Sequence, residues 1–197
     1  MNFNKLKLSN FKTTKWSGGT TTELFIYPPK ADFQKRDFDF RLSTATVEVD
    51  ESYFTPLQDV SRTLMVLDGQ MTLSHQNHHA KTLNKFEIDK FDGGWYTKSK
   101  GKCVDFNLMT RGGATGRLEH IAVEMNTSSI CNIESNYNRH FLFAYSGAIN
   151  LTLGNEHISL NKGEMLALTL NELDSNEIQL GAIEDTDLVL IYVKSDN

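Results

Sequence analysis

Two arginines interrupt runs of residues that otherwise read as buried strands. Arg41 lies in FDFRLSTATVEV (38–49), where Arg41, Ser43, Ala45, Val47 and Val49 share one face of a period-2 pattern while Phe38, Phe40 and Leu42 begin the other. Arg62 opens RTLMVLDG (62–69) and shares a face with Leu64 and Val66. An unpaired guanidinium in an apolar face is too costly to keep, so each arginine stands either at a rim or beside an anion. A third strand-like stretch, CVDFNLMTR (103–111), sets Cys103, Asp105, Asn107 and Met109 against Val104, Phe106 and Leu108. Alternation fits a solvated polar face there as well as a pocket holding Asp105 and Asn107 with Arg111 at its edge. The planar two-pronged guanidinium matches a carboxylate. The expectation is one cavity into which Arg41 and Arg62 project, binding a small carboxylate metabolite, with Asp105 or Glu23 as counter-charge when it is empty.

Other chemistries find less support. HQNHH (75–79) is rich in imidazole, but it falls where a hairpin should turn and brings no nearby carboxylate, so a solvated turn is expected there. RGGATGR (111–117) has the glycines of a phosphate loop without its Lys-Ser/Thr ending and reads as a linker. Cys103 has no helix N-terminus or flanking base to activate it. The Gly18-Gly19 pair in WSGGTTTELFIYPP (16–29) allows close approach of a ligand, or simply a tight bend before a strand that stops at Pro28-Pro29.

The elements that must position these residues come in duplicate. HFLFAYSG (140–147) answers RTLMVLDG, with Gly69 and Gly147 standing 78 residues apart and the same offset relating Leu64 to Leu142 and Leu73 to Leu151. In each copy an apolar run ends in a turn, a second apolar strand follows, and LNKFEI (83–88) or LNKGEML (160–166) comes next. Such duplication within 197 residues points to an all-β chain of two antiparallel β-barrel or jelly-roll halves, 1–112 and 113–197, packed as one unit and free to exchange terminal strands. The first half carries more polar residues on apolar faces and therefore the expected pocket.

This pattern resembles the cupins, whose metal motif ends in a Glu, six residues and a Gly after a His-x-His pair. Arg62 and His140 occupy the Glu position here, and Thr55 to Gln58 and Ile133 to Asn136 contain no His. A cupin of this kind lacks the usual metal site in both halves, so no cofactor and no stoichiometric transition metal are expected.

Composition narrows the partners. Net charge is −5 with no basic block, which argues against nucleic acid and anionic membranes. No apolar run is long enough for a signal peptide or a membrane span, and Cys103 and Cys131 do not make a disulfide framework, so a cytoplasmic protein is the simplest expectation. A homodimer is compatible with the sequence.

Three stretches together resemble the HutD/Ves family of duplicated cupins: WSGGTTTEL (16–24), FRLSTATV (40–47) with Arg62 and Gly69, and DFNLMTR (105–111). Thr21 and Glu23 match the family's Thr-x-Glu and Gly18-Gly19 its glycines, while Trp16 stands where members usually carry Asn. The resemblance implies a bicupin without cupin-type metal. It also implies a regulatory small-molecule binder linked to histidine utilisation, where a member is proposed to bind N-formylglutamate, or to stress responses. Arg41, Arg62, Asp105, Asn107, Glu23, Thr21, Trp16 and Arg111 form the expected ligand-binding set. Asn and Asp suit the formamide of such a ligand. The competing expectation is a metal-independent isomerase or hydrolase using Glu23 or His140 as general base.

Overall fold

The computed structural model describes residues 2–169 and 177–196, and among these the regular structure is β-strand apart from one 3-10 turn at Leu8–Asn10. Two compact units emerge, Phe11–Thr115 and a second made of Gly116–Asn197 together with Met1–Asn10.

The first unit contains β2 (Lys12–Trp16), β3 (Gly19–Tyr27), β4 (Phe40–Val47), β5 (Glu51–Tyr53), β6 (Val60–Gly69), β7 (Met71–His75), β8 (Ala80–Leu83), β9 (Ile88–Asp92), β10 (Thr97–Lys100) and β11 (Cys103–Arg111). The second contains β1 (Asn2–Leu6), β12 (Thr115–Val123), β13 (Ser128–Asn132), β14 (Arg139–Ala144), β15 (Ala148–Leu153), β16 (Glu156–Asn161), β17 (Met165–Thr169), β18 (Glu177–Ala182) and β19 (Thr186–Lys194).

Each unit has two sheets, and the strand orders repeat. One pair of sheets runs β4-β11-β6-β9 and β12-β19-β14-β17, the other β5-β10-β7-β8 and β13-β18-β15-β16. The first unit extends its larger sheet beyond β4 with β3 and β2, and the second extends its own beyond β17 with β1. Residues 1–10 therefore depart from the division at 112/113: β1 pairs antiparallel with β17, Phe3 opposite Leu168, so the start of the chain completes the second unit.

The duplication reaches single hydrogen bonds. Asn84 N–H donates to Glu87 Oε2 at 2.8 Å, and Asn161 N–H to Glu164 Oε2 at 2.9 Å, so the two LNK turns are pinned alike. Gly69 and Gly147 have φ of 78° and 68°, a region that disfavours a side chain. A Cβ at Gly69 would stand 2.6 Å from the Lys102 carbonyl oxygen, and one at Gly147 2.4 Å from that of Asp185, the residues leading into β11 and β19. Gly69→Ala and Gly147→Ala are each expected to destabilise the protein by about 1–3 kcal/mol, read as a lower urea midpoint.

The first unit buries Val47, Leu64, Val66, Met71, Leu73, Leu83 and Phe91 in one cluster and Phe38, Leu57, Val60 and Met109 in another, and the second buries an aliphatic cluster around Leu142, Leu151, Leu166 and Leu190. The stretch 92–102, which reads as loop with a short edge, instead supplies β10 to the middle of a sheet between β5 and β7. Its TKSK sequence offers no apolar run to announce a strand, and Thr97 and Ser99 are buried through pairing on both sides.

Candidate functional site

A cavity of about 730 Å³ opens in the first unit. Its wall on β4 is the predicted face, Arg41, Ser43, Ala45 and Val47, continued by Val49. β11 adds Asp105, Asn107 and Met109, and β6 adds Arg62. Trp16, Gly18 and Thr21 come from the β2–β3 hairpin, and Phe54 and Leu57 from the segment before β6.

Register explains why the first unit has this cavity. Asp105, Asn107 and Met109 pair with Val66, Leu64 and Arg62. In the second unit Leu188, Leu190 and Tyr192 pair with Ala144, Leu142 and His140. The duplicated face thus carries Leu, Leu and Tyr where the first unit has Asp, Asn and Met, and these bulkier side chains fill the interior. Beside His140 only about 10 Å³ remains.

Within the cavity the two arginines are 6% and 7% exposed, too little for bulk water to solvate them. Arg41 Nε donates to Glu23 Oε2 at 2.7 Å and Nη1 to Ser43 Oγ at 3.2 Å, while the guanidinium lies 4.2 Å over the Phe33 ring. Arg62 reaches a carboxylate only through an intermediary. Its Nη2 and Nε donate to Asn107 Oδ1 at 2.8 and 3.3 Å, and Asn107 Nδ2 donates to Asp105 Oδ1 at 2.7 Å. Phe54 and Phe91 flank the Arg62 guanidinium at 4.4 and 5.3 Å.

Burial dominates the protonation of this chain of groups. It pulls Arg62 down to about 10, with Asp105 opposing and Arg41 reinforcing the shift. It pushes Asp105 up to about 6, against the Asn107 hydrogen bond and the Arg62 charge. The register shifts beside each of the site's two acids: Leu67 of β6 is the extra residue opposite Val104 and Asp105, and Leu24 of β3 is the extra residue after Glu23.

The remaining expected residues are dispersed. Thr21 and Trp16 line the cavity, and Glu23 stands behind Arg41 as its partner. Arg111 does not belong to the edge of the cavity: two residues past Met109, at the end of β11, its guanidinium donates to the Arg36 carbonyl oxygen. His140 lies in the second unit, its Nε2 against the Glu134 carbonyl oxygen at 3.1 Å, and burial lowers its pKa to about 4. Cys103 is buried, with its thiol raised to about 12 by desolvation, which leaves it inert.

The expectation of a solvated turn over HQNHH requires correction. His75 is buried, because it continues the interior face of Met71 and Leu73 on β7. A carboxylate is also at hand: Asp89, buried on β9, lies 3.1 Å from His75 Nε2 and from His79 Nε2.

Two like-folded all-β units with repeated strand order, one hollow and lined by arginines, define a duplicated cupin-type fold. The sequence matches the HutD family over residues 8–189, and the chain belongs to that family. The fold is shared with a conserved protein of unknown function, PA5104, from Pseudomonas aeruginosa PAO1, at TM-score 0.81 and 20% identity over 99% of this chain and 100% of that one. HutD from Pseudomonas fluorescens SBW25, in a formate condition, superposes with TM-score 0.71 and 17% identity over 100% of both chains. YhhW from Escherichia coli gives TM-score 0.72 and 12% identity over 97% of each. No curated protein sequence matches the chain.

Proposed function

We propose that the first unit binds a small carboxylate metabolite, N-formylglutamate or a close analogue, and that the protein acts as a metabolite-responsive regulator linked to histidine utilisation. The supporting observation is the pair of desolvated guanidinium groups facing one cavity of about 730 Å³. Each guanidinium has an acid nearby, Glu23 bonded to Arg41 and Asp105 reached from Arg62 through Asn107, which offsets the cost of two buried charges before an anion arrives. Asn107 and Asp105 beside them suit the polar amide end of such a ligand. Family membership and the likeness to a HutD structure support the pathway assignment.

An enzyme remains the second reading because one cavity group, Asp105 at about 6, lies near the range useful for proton transfer. Glu23 is engaged by Arg41, and His140 lies in the other unit beside a void too small for a substrate. Titration with formate, glutamate and N-formylglutamate, followed by NMR of the mixture, separates the two. Saturable binding with the ligand unchanged after a day supports the binder, and turnover supports the enzyme.

Binding should also depend on pH. When Asp105 is ionised the two arginines face two acids, Asp105 and Glu23; below about pH 6 Asp105 is neutral and the cavity gains one net positive charge. Formate should therefore bind more tightly at pH 5.5 than at pH 8, with proton uptake near pH 6. Equal affinities at the two pH values would remove Asp105 from the ligand's electrostatic field.

A further inference from the structure

His75, His79 and Asp89 bring together two imidazole nitrogens and a carboxylate, all ligand atoms lying within 4.8 Å of one another. The β7–β8 hairpin does this: His75 N–H donates to the His79 carbonyl oxygen at 2.9 Å, placing the two rings 4.6 Å apart. Asp89 comes from β9 and meets both, Oδ2 at 3.1 Å from His75 Nε2 and both oxygens at 3.1 Å from His79 Nε2.

His75 is also held from behind, by β10. His75 Nδ1 lies 2.8 Å from Thr97 Oγ1, a hydroxyl able to accept the ring's N–H. A metal ion would take the tautomer with Nδ1–H on Thr97 Oγ1, which turns the Nε2 lone pair towards Asp89 Oδ2, 3.1 Å away. A hydrogen bond on the far ring nitrogen is the usual support of a metal-ligating histidine.

We propose that His75, His79 and Asp89 bind one divalent ion of the zinc class. Two imidazoles and one carboxylate suit Zn²⁺, Ni²⁺ or Co²⁺ rather than Mg²⁺ or Ca²⁺. Metal bonds of about 2.0–2.2 Å place tetrahedral ligand atoms about 3.3–3.6 Å apart, and the two imidazole–carboxylate separations here are 3.1 Å. His75 and Asp89 have side chains 0% and 6% exposed, whereas that of His79 is 43% exposed, so the ion would enter from the His79 side and keep a coordination position open there. The site is distinct from the arginine cavity, which none of the three residues lines, and from the cupin-motif positions at Arg62 and His140. Phe91 lies against both places, its ring 4.5 Å from that of His75 and 5.3 Å from the Arg62 guanidinium.

The test uses the full chain without a histidine tag, stripped with a chelator and titrated with Zn²⁺, then with Co²⁺. One ion per chain, a Zn²⁺-dependent rise in melting temperature and Co²⁺ absorption of low-symmetry form are expected. His79→Ala and Asp89→Asn should each weaken binding about tenfold or more. His78→Ala is the matched control, since His78 stacks on Trp95 at 3.6 Å outside the ligand set and should leave binding unchanged. His79 is exposed, so its variant keeps the experiment readable if Asp89→Asn folds poorly. Absence of stoichiometric binding overturns the proposal, as does affinity unchanged in His79→Ala or lost equally in His78→Ala.

Discussion

Arg62→Met is expected to weaken carboxylate binding by about 2 kcal/mol or more, roughly thirtyfold, because it removes charge-assisted hydrogen bonds in a site sheltered from water. Met preserves most of the bulk between Phe54 and Phe91 that holds the guanidinium. Folding should suffer less than binding. Burial already disfavours the Arg62 charge, so its removal relieves a desolvation cost while leaving Asn107 Oδ1 and Asp105 without a cation. Arg41→Met should give a comparable binding loss, and there the released Glu23, with a side chain 26% exposed, can turn to solvent. Lys at either position should rescue poorly, since a point charge cannot reproduce the two-pronged geometry. Calorimetric titration of formate and N-formylglutamate into the three proteins decides the matter. Equal affinities for wild type and both Met variants would place the ligand elsewhere.

The parts of this site legible in the sequence are those set by strict alternation within a strand. Arg41, Ser43, Ala45, Val47 and Val49 could be placed on one wall because β4 keeps its period without a break. Asp105 and Asn107 could be put on one face, but whether that face met water or a cavity depended on the packing of a second sheet. Arg111 shares their parity, yet parity does not say where along a strand the cavity ends. Pairing across distance was equally hidden. Nothing in MNFNKLKLSNF names β17 as the partner of β1, and the polar TKSK of β10 is buried by neighbours remote in sequence. His75 was within reach, since carrying the Met71, Leu73 alternation one step further turns it inward; the histidine-rich turn obscured that step. Its meeting with Asp89 was not, because that depends on how β9 returns past the hairpin.

Asp105→Asn is expected to stabilise the protein at pH 8 by up to about 3 kcal/mol and to give almost no gain near pH 4. In the folded protein Asp105 is raised from 3.8 to about 6, even with the attraction of Arg62 and the Asn107 hydrogen bond included. The unfolded chain therefore ionises first as pH rises. Stability from the neutral carboxyl is fully present below about pH 4, falls between about pH 4 and 6, and is gone above that window. Asn is a neutral isostere that can still accept from Asn107 Nδ2, so it escapes the penalty that the wild type bears at pH 8. The same substitution fixes the cavity in its more positive state. Asp105→Asn should bind formate at pH 8 about as well as the wild type does at pH 5.5, and its affinity should no longer depend on pH across the window. A gain in stability with a loss of pH dependence would identify Asp105 as a charge kept at a folding cost, the exchange expected where a site is tuned for a ligand. If urea unfolding at pH 8 shows the variant less stable than the wild type, the Arg62 charge depends on Asp105 more than burial penalises it.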